Sequence, residues 1–257
     1  MEVGLLKCIP QVNKDVTMDS KNGTLIMASN SLGNTLDIPF RSLEALRNSD
    51  LLIFEEDKPA RLALKTAGVH REYLKFNEHK QEATIEELRA CLKKGETACY
   101  MSDQGVPTLA DPGRDLLSIA YQLNATVKVL PGPSSITAAL AACPFLSNSF
   151  HYHGFLPREE ADRIKELERH EKRSEPTVFL ETPYRRKALL GSIKEVFGSN
   201  RMALLALDIS GPNEEFIYNK VSELQKLERE KLNFVLVVEG IARPKVKQSK
   251  NSNRRKR

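Results

Sequence analysis

The chain has 257 residues, of which 40% are hydrophobic and 28% are charged, an ordinary composition for a globular protein. No apolar run approaches the roughly 18 residues that a membrane helix needs, so we expect no membrane-spanning helix. The formal net charge is +5, but residues 241–257 carry eight basic side chains and no acidic one, so the rest of the chain is slightly acidic.

Short apolar runs alternate with helical patterns in the first half of the chain. Each run is bounded by turn-forming residues, and most are followed by apolar residues at helical spacing. The alternation predicts an α/β domain with a mainly parallel sheet and right-handed crossovers. The predicted strands are residues 23–29, 51–54, 73–76, 97–101 and 126–130, and the predicted helix caps are Asp37, Thr84 and Asp111 at N-terminal ends and Gly68 and Gly95 at C-terminal ends.

The pattern changes after Pro131. A helix of small residues at 134–142 and a charged helix at 160–172 are mixed with apolar runs, some of which follow one another without a long crossover. Neighbouring strands joined in this way predict a mixed sheet. The predicted strands of this half are residues 150–153, 177–181, 202–207, 215–218 and 234–238.

The chain is therefore predicted to hold two α/β domains between irregular ends. The predicted divisions are an irregular leader at 1–22, an N-terminal domain at 23–125, a C-terminal domain at 126–240 and a basic tail at 241–257. The tail is interpreted as either a solvated end or an arm that binds phosphates.

Two loops at predicted strand ends hold the residues best suited to a ligand site, 102–107 and 130–135. Parallel α/β sheets bind small ligands at such positions. The carboxylate of Asp103 can face a ligand cation, and Gly105 and Gly132 leave room for a ligand to approach the backbone. Ser134 and Ser135 begin a predicted helix, where they either cap it or bind a carboxylate. Ordinary turn chemistry is the alternative explanation for the same residues.

Several common active-site motifs are missing from the chain. No G-x-G-x-x-G follows a strand, and there is no G-x-x-x-x-G-K-[ST], G-x-S-x-G or H-E-x-x-H. Their absence disfavours a nicotinamide-dependent enzyme, a P-loop NTPase, an α/β-hydrolase and a zinc protease.

The four cysteines form no C-x-x-C pair, and no histidine lies beside them at the spacing of zinc ligands. They are interpreted as reduced thiols, and the sequence predicts no metal site. The N-terminus has an early acidic residue and no sustained apolar stretch, so we expect no signal peptide and a cytoplasmic location.

The two ligand loops belong to longer motifs with a family resemblance. Residues 100–113 read YMSDQGVPTLADPG, and LPGPSS follows at 130–135. This pair resembles the signature of the tetrapyrrole-methylase superfamily of S-adenosylmethionine-dependent methyltransferases. Further segments are similar to its ribosomal RNA small subunit methyltransferase I branch, which methylates a cytidine 2′-hydroxyl in 16S rRNA: SLGNTLDI at 31–38, GFLPR at 154–158, ETPYR at 181–185 and FVLVVEG at 234–240.

The resemblance implies a two-domain fold, a homodimer and S-adenosylmethionine bound in the cleft between the domains. It also implies that small subunit rRNA is the partner. Carried over by motif, the cofactor would contact Ser31, Gly33, Asp103, Gly105, Pro131, Gly132, Ser134 and Ser135, and the loops at Phe155 and Leu156 and at 181–184 would close the site.

The segments presumed to face the methyl acceptor depart from the branch. The branch usually has EDTRHTRKLL after the second strand, where this chain has EEDKPARL at 55–62. It usually has YHEHNE where this chain has LKFNE at 74–78, although His79 follows directly. The chain therefore resembles a divergent paralogue, with the cofactor motifs kept better than the acceptor motifs.

A ribose hydroxyl needs an acceptor for its proton when it attacks a methyl group. The candidates are His79, Glu78, Glu181, Glu56 and Asp57. A solvated loop histidine is the alternative for His79, and capping of the next helix is the alternative for Glu181.

Other polar pairs have both functional and structural interpretations. Arg185 and Arg186 either bind phosphate or pair with nearby acids. His151 and His153 alternate on one predicted strand and therefore point to one face. The alternative interpretation is that they are ordinary residues of a strand face.

Three functions follow from the sequence. The first is 2′-O-methylation of 16S rRNA, the second is methylation of a small molecule or tetrapyrrole by the same fold, and the third is a non-catalytic protein that binds cofactor or RNA.

Overall fold

The computed structural model of the protein describes residues 22–77, 81–109, 112–228 and 231–241. These residues form two five-stranded sheets with helices packed on them. No helix in these ranges has the length and apolar character to cross a membrane. The predicted leader and tail lie outside the described residues, apart from Asn22 and Ile241.

The first sheet is entirely parallel, as the strand–helix alternation predicts. Its strand order is β3-β2-β4-β1-β5, and its strands carry apolar side chains on both faces, each packed under helices. The strands are β1 (Thr24–Ala28), β2 (Leu51–Phe54), β3 (Leu74–Lys75), β4 (Thr97–Met101) and β5 (Thr126–Leu130), and the helices are α1 (Phe40–Asn48), α2 (Asp57–Ala67), α3 (Gln81–Lys93) and α4 (Arg114–Gln122).

Strand β5 belongs to the first sheet, which corrects the boundary predicted between residues 125 and 126. It pairs in parallel with β1, and Leu130 lies opposite Ala28. The strand–helix alternation of the first domain thus includes α4 and β5, whereas the predicted domain ended before β5. The passage between the sheets therefore begins after Leu130.

The second sheet is mixed, as predicted. Its order is β6-β7-β10-β8-β9, with β6 and β7 parallel and the other neighbours antiparallel. The strands are β6 (His151–Phe155), β7 (Thr177–Glu181), β8 (Met202–Leu207), β9 (Glu215–Lys220) and β10 (Phe234–Val238), and the helices are α5 (Ser135–Ala141), α6 (Glu160–Glu168), α7 (Arg186–Phe197) and α8 (Val221–Lys226).

The helix ends agree with the predictions only in part. Gly68 ends α2 in the left-handed conformation, with φ +70°, as a C-terminal glycine should. Asp37 lies in a short 3₁₀ helix, and α1 begins only after Pro39. Thr84 lies inside α3, where its hydroxyl donates to the Lys75 carbonyl at 2.8 Å. Asp111 lies outside the described residues, and the helix that it was predicted to cap begins at Arg114.

The fold brings one edge of each sheet together. The loops after β1, β2, β4 and β5 leave the carboxyl ends of parallel strands, so they meet at a single edge of the first sheet. The ends of β6, β7 and β8 and the start of β10 face that edge from the second sheet.

Candidate active site

A cleft of about 710 Å³ lies between the two sheets. This volume is within the range of pockets that bind small ligands and cofactors. Its walls include Ser102 and Gly105 from the first sheet and Leu180 and Asp208 from the second. The ligand-binding loops predicted at the strand ends therefore meet across one cavity.

Most of the predicted cofactor residues line this cleft. The lining members of the predicted set are Ser31, Gly33, Asp103, Gly105, Ser134, Ser135 and Phe155. Pro131, Gly132 and Leu156 are not among the lining residues: Pro131 and Gly132 are exposed, Gly132 lies against Ser29 and Pro39, and Leu156 is buried in the core of the second sheet. We therefore expect Gly132 and Leu156 to act on the position of their loops.

Asn30, which the sequence analysis did not single out, joins the loops after β1 and β4. Its amide nitrogen Nδ2 donates to the carbonyls of Ser102 at 3.1 Å and Asp103 at 3.0 Å. Its backbone N–H donates to the Gly105 carbonyl at 2.9 Å. The side chain is 4% exposed, so these bonds are shielded from water, which makes them costly to break. No local pattern marks Asn30 for this role, because the residues that accept its side-chain bonds lie 72 and 73 positions further along the chain.

Two acidic side chains stand at the centre of the first-sheet wall. Glu55 accepts hydrogen bonds at Oε1 from the Tyr100 hydroxyl at 2.8 Å and from the Asp103 N–H at 3.3 Å. Asp103 in turn accepts at Oδ1 from the Glu56 N–H at 3.2 Å. The arrangement places two carboxylates at the cleft, which suits a ligand that carries positive charge or hydroxyl donors.

Gly105 lets the backbone come close to other groups at the cleft. Its φ is +71°, and an added Cβ would lie 3.1 Å from the Pro133 carbonyl oxygen and 3.2 Å from Cδ2 of Leu32. A side chain here would be strained and would crowd both neighbouring loops. Gly105 therefore allows the loop after β4 to pack closely against Leu32 and Pro133 of the two neighbouring loops.

Gly33 marks the contact between the two halves of the molecule. A Cβ on Gly33 would lie 3.1 Å from the backbone nitrogen of Gly211, in the loop after β8. The loop after β1 and the loop after β8 thus meet backbone to backbone at the side of the cleft.

Glu181 lies in the second-sheet wall with its side chain fully buried. Oε1 accepts from the Thr182 N–H at 2.7 Å. Oε2 is 3.0 Å from Nη2 of Arg185, which is an ion-pair distance without hydrogen-bond alignment. The same Nη2 donates to the Pro157 carbonyl at 2.8 Å, so Glu181 holds an arginine that anchors the loop after β6.

The other candidate bases are placed differently. Asp57 begins α2 and accepts hydrogen bonds from Lys75 Nζ and the Tyr73 hydroxyl, each at 3.0 Å. The bond from Lys75 is the main reason that the pKa of Asp57 is lowered. Among the acids that follow β2, Glu55 lines the cleft rather than Glu56 or Asp57. His79 and Glu78 lie outside the described residues.

Replacing Glu181 with glutamine is expected to destabilise the protein by about 1–3 kcal/mol, because Arg185 would lose the charge opposite it while its side chain stays three-quarters buried. Chemical denaturation measures the change. Glu228→Gln is the matched control, because the Lys187–Glu228 ion pair is largely exposed, and it should leave the free energy of unfolding unchanged. Equal stability of Glu181→Gln and the parent chain would show that the buried ion pair contributes nothing.

The chain is similar in sequence to known methyltransferases. A family model described as Tetrapyrrole (Corrin/Porphyrin) Methylases matches residues 24–225. Ribosomal RNA small subunit methyltransferase I of Thermotoga maritima is 33% identical over 78% of this chain and 90% of its own length. The enzyme of the same name from Leptospira borgpetersenii is 34% identical over 80% of this chain and 82% of its own length, and that of Escherichia coli O157:H7 is 31% identical over 86% and 79%.

Solved structures agree on the fold. Uroporphyrin-III C-methyltransferase from Thermus thermophilus superimposes with a TM-score of 0.60 at 18% identity, covering 84% of this chain and 94% of that one. A diphthine synthase superimposes with a TM-score of 0.66 at 15% identity, covering 85% and 90%. The two-domain α/β fold that the sequence motifs imply is thereby confirmed.

Proposed function

The chain belongs to the tetrapyrrole methylase family, and on that premise we propose that it methylates the 2′-hydroxyl of a ribose in small subunit rRNA. It is a methyltransferase, and S-adenosylmethionine is the methyl donor of its family. The observation that carries the rRNA proposal is the similarity to curated rRNA small subunit methyltransferases at 30–34% identity, over 78–86% of the chain.

The residues at the cleft fit S-adenosylmethionine. This molecule carries an ammonium group, a positively charged sulfur and ribose hydroxyls, for which Asp103 and Glu55 are suitable acceptors. Gly105, which lines the cleft, allows the loop that carries Asp103 to pack against the neighbouring loops. Phe155, which lines the cleft and is half exposed, offers an apolar face to an adenine ring.

Bound in this cleft, S-adenosylmethionine supplies a methyl group that is already activated by its sulfonium. The protein's main task is therefore to hold the acceptor oxygen in line with that methyl group. The loops that Asn30 joins and the loop that Arg185 anchors give the two walls fixed positions for this purpose. His79, Glu78 and Glu181 stay our candidates for receiving the hydroxyl proton, and Glu181 has to release Arg185 to do so.

The test uses purified protein, S-adenosylmethionine labelled in its methyl group, and unmodified small ribosomal subunits. We expect label in one nucleotide of the 16S rRNA, and nuclease digestion followed by mass spectrometry should find it on the ribose. Absence of label from subunits and from free rRNA would overturn the rRNA proposal. Label in a tetrapyrrole but not in RNA would favour the second function, and cofactor binding without transfer to either would favour a non-catalytic protein.

We further propose that the protein acts as a homodimer in the cytoplasm, where ribosomal subunits are found. Support comes from exposed apolar side chains on the first sheet's β5 side: Phe40 is 74% exposed, and Val129 on the edge strand is 55% exposed. Sedimentation should give twice the 28.9 kDa chain mass. Phe40→Asp should lower it to one chain, and a monomeric parent protein would refute the dimer.

A further inference from the structure

Three of the five histidines meet on the outer side of the second sheet. His151 and His153 lie on the edge strand β6, and His170 follows the end of α6. The His151 and His170 rings stack at 4.8 Å between centroids, and the His153 and His170 rings meet edge to face at 4.9 Å. One ring nitrogen of each lies within 4.8 Å of the others. The cluster therefore joins a strand to a helix through three imidazoles.

The fold accounts for this meeting. The pairing of β6 with β7 shifts register between Tyr152 and Gly154, and at this irregularity His151 and His153 both face His170. The His153 ring also packs against the Phe179 ring of β7, with 5.6 Å between centroids. The His170 N–H donates to the Leu167 carbonyl at 2.9 Å, which turns the chain after α6 back towards the strand. His151 lies at the start of β6, whereas Phe155 at its end lines the cleft. The cluster is thus separate from the methyl-transfer site.

The donor set is that of a transition-metal site. Each of the three imidazoles can offer one ring nitrogen as a ligand, and these nitrogens all lie within 4.8 Å of one another. Glu166 stands one turn before His170, with Oε1 3.4 Å from its Nε2. Neutral imidazoles with one carboxylate are ligands that zinc prefers, usually in tetrahedral geometry.

We propose that His151, His153, His170 and Glu166 bind one divalent transition-metal ion, with zinc as the best chemical match. The ion cross-links the edge strand β6 to the end of α6. Ligand nitrogens in a tetrahedral zinc site lie roughly 3.4 Å apart, given Zn–N bonds of about 2.0–2.1 Å, so binding draws the three rings closer together.

Metal binding has to break the hydrogen bond between Arg173 and His170. Nε of Arg173 donates to Nδ1 of His170 at 2.9 Å, so the ring proton sits on Nε2, facing Glu166. For Nε2 to bind the metal, that proton has to leave and Nδ1 has to carry the ring N–H. Nδ1 then needs an acceptor in place of the Arg173 donor. Ligating histidines regularly donate their second N–H to such an acceptor.

The experiment titrates zinc chloride, and separately cobalt(II) chloride, into the untagged full chain. We expect one zinc ion per chain by calorimetry, a higher Tm with zinc, and the visible absorption of tetrahedral cobalt(II). His151→Asn and His153→Asn should each weaken binding by at least roughly 100-fold, since each removes a direct ligand. His70→Asn is the matched control, because His70 is exposed and outside the cluster, and it should bind like the parent chain.

Arg173→Gln provides a second test in the opposite direction. A glutamine oxygen can accept from Nδ1–H, so this variant should bind zinc at least about tenfold more tightly. Circular dichroism of each metal-free variant checks that it folds. If variants at His170 do not fold, the two variants on β6 still test the proposal. Absence of one-to-one binding, or parent-like binding by His151→Asn and His153→Asn, would overturn the proposal. Weaker binding by Arg173→Gln would overturn ligation through Nε2.

Discussion

Replacing Asp103 with alanine is expected to lower the affinity for S-adenosylmethionine by at least about 100-fold. Hydrogen bonds that a carboxylate accepts contribute about 1.5–3 kcal/mol each, more than neutral ones do. Asp103 stands at the end of β4 in the cleft wall, with a second carboxylate, Glu55, behind its N–H. Calorimetric titration of the cofactor, or of S-adenosylhomocysteine, measures the loss.

One further variant separates the effect of charge from the effect of shape at position 103. Asp103→Asn keeps an oxygen that accepts from the Glu56 N–H but removes the charge, so its affinity should fall between those of the parent chain and the alanine variant. Asp115→Ala is the control, because Asp115 is an exposed acid in the first turn of α4, and it should bind normally. Unchanged affinity in a folded Asp103→Ala protein would refute the placement of the cofactor.

Alanine at Gly132 is expected to destabilise the protein by about 1–3 kcal/mol, the usual cost of overpacking. The added Cβ would lie 2.5 Å from Cβ of Ser29 and 2.8 Å from Cγ of Pro39. Neither neighbour can move easily: Ser29 is fully buried, with its hydroxyl bonded to the Leu130 carbonyl at 2.6 Å, and Pro39 is a rigid ring. Thermal and chemical denaturation measure the loss.

The same substitution should also weaken cofactor binding. Because Ser29 and Pro39 cannot move away from the new Cβ, the backbone at residue 132 has to move, and with it the loop that carries Ser134 and Ser135 to the cleft. Gly191→Ala is the matched control. Gly191 lies inside α7 with only a side-chain amide 3.4 Å from the new Cβ, so alanine there should stabilise by about 0.5–1 kcal/mol. Full stability and normal binding in Gly132→Ala would show that the contact with Ser29 and Pro39 is loose.

The loop motifs were predictable because their chemistry is local. A strand end followed by Ser, Asp and Gly defines a turn whatever the rest of the chain does. Most of the motif residues do line the cleft, including Asp103 and Gly105. By contrast, Asn30 and Glu55 owe their roles to bonds with residues 45–73 positions away, which no local pattern reveals.

The sequence by itself determined the alternation of strands and helices, the family and the loops that carry its motifs, because these depend on short-range spacing and residue type. The tertiary structure alone decided that β5 joins the first sheet, that Glu55 faces the cleft, and that Glu181 is buried against Arg185. It also brought His170 to His151 and His153. These outcomes depend on which distant segments pack together, and packing is a property of the whole chain.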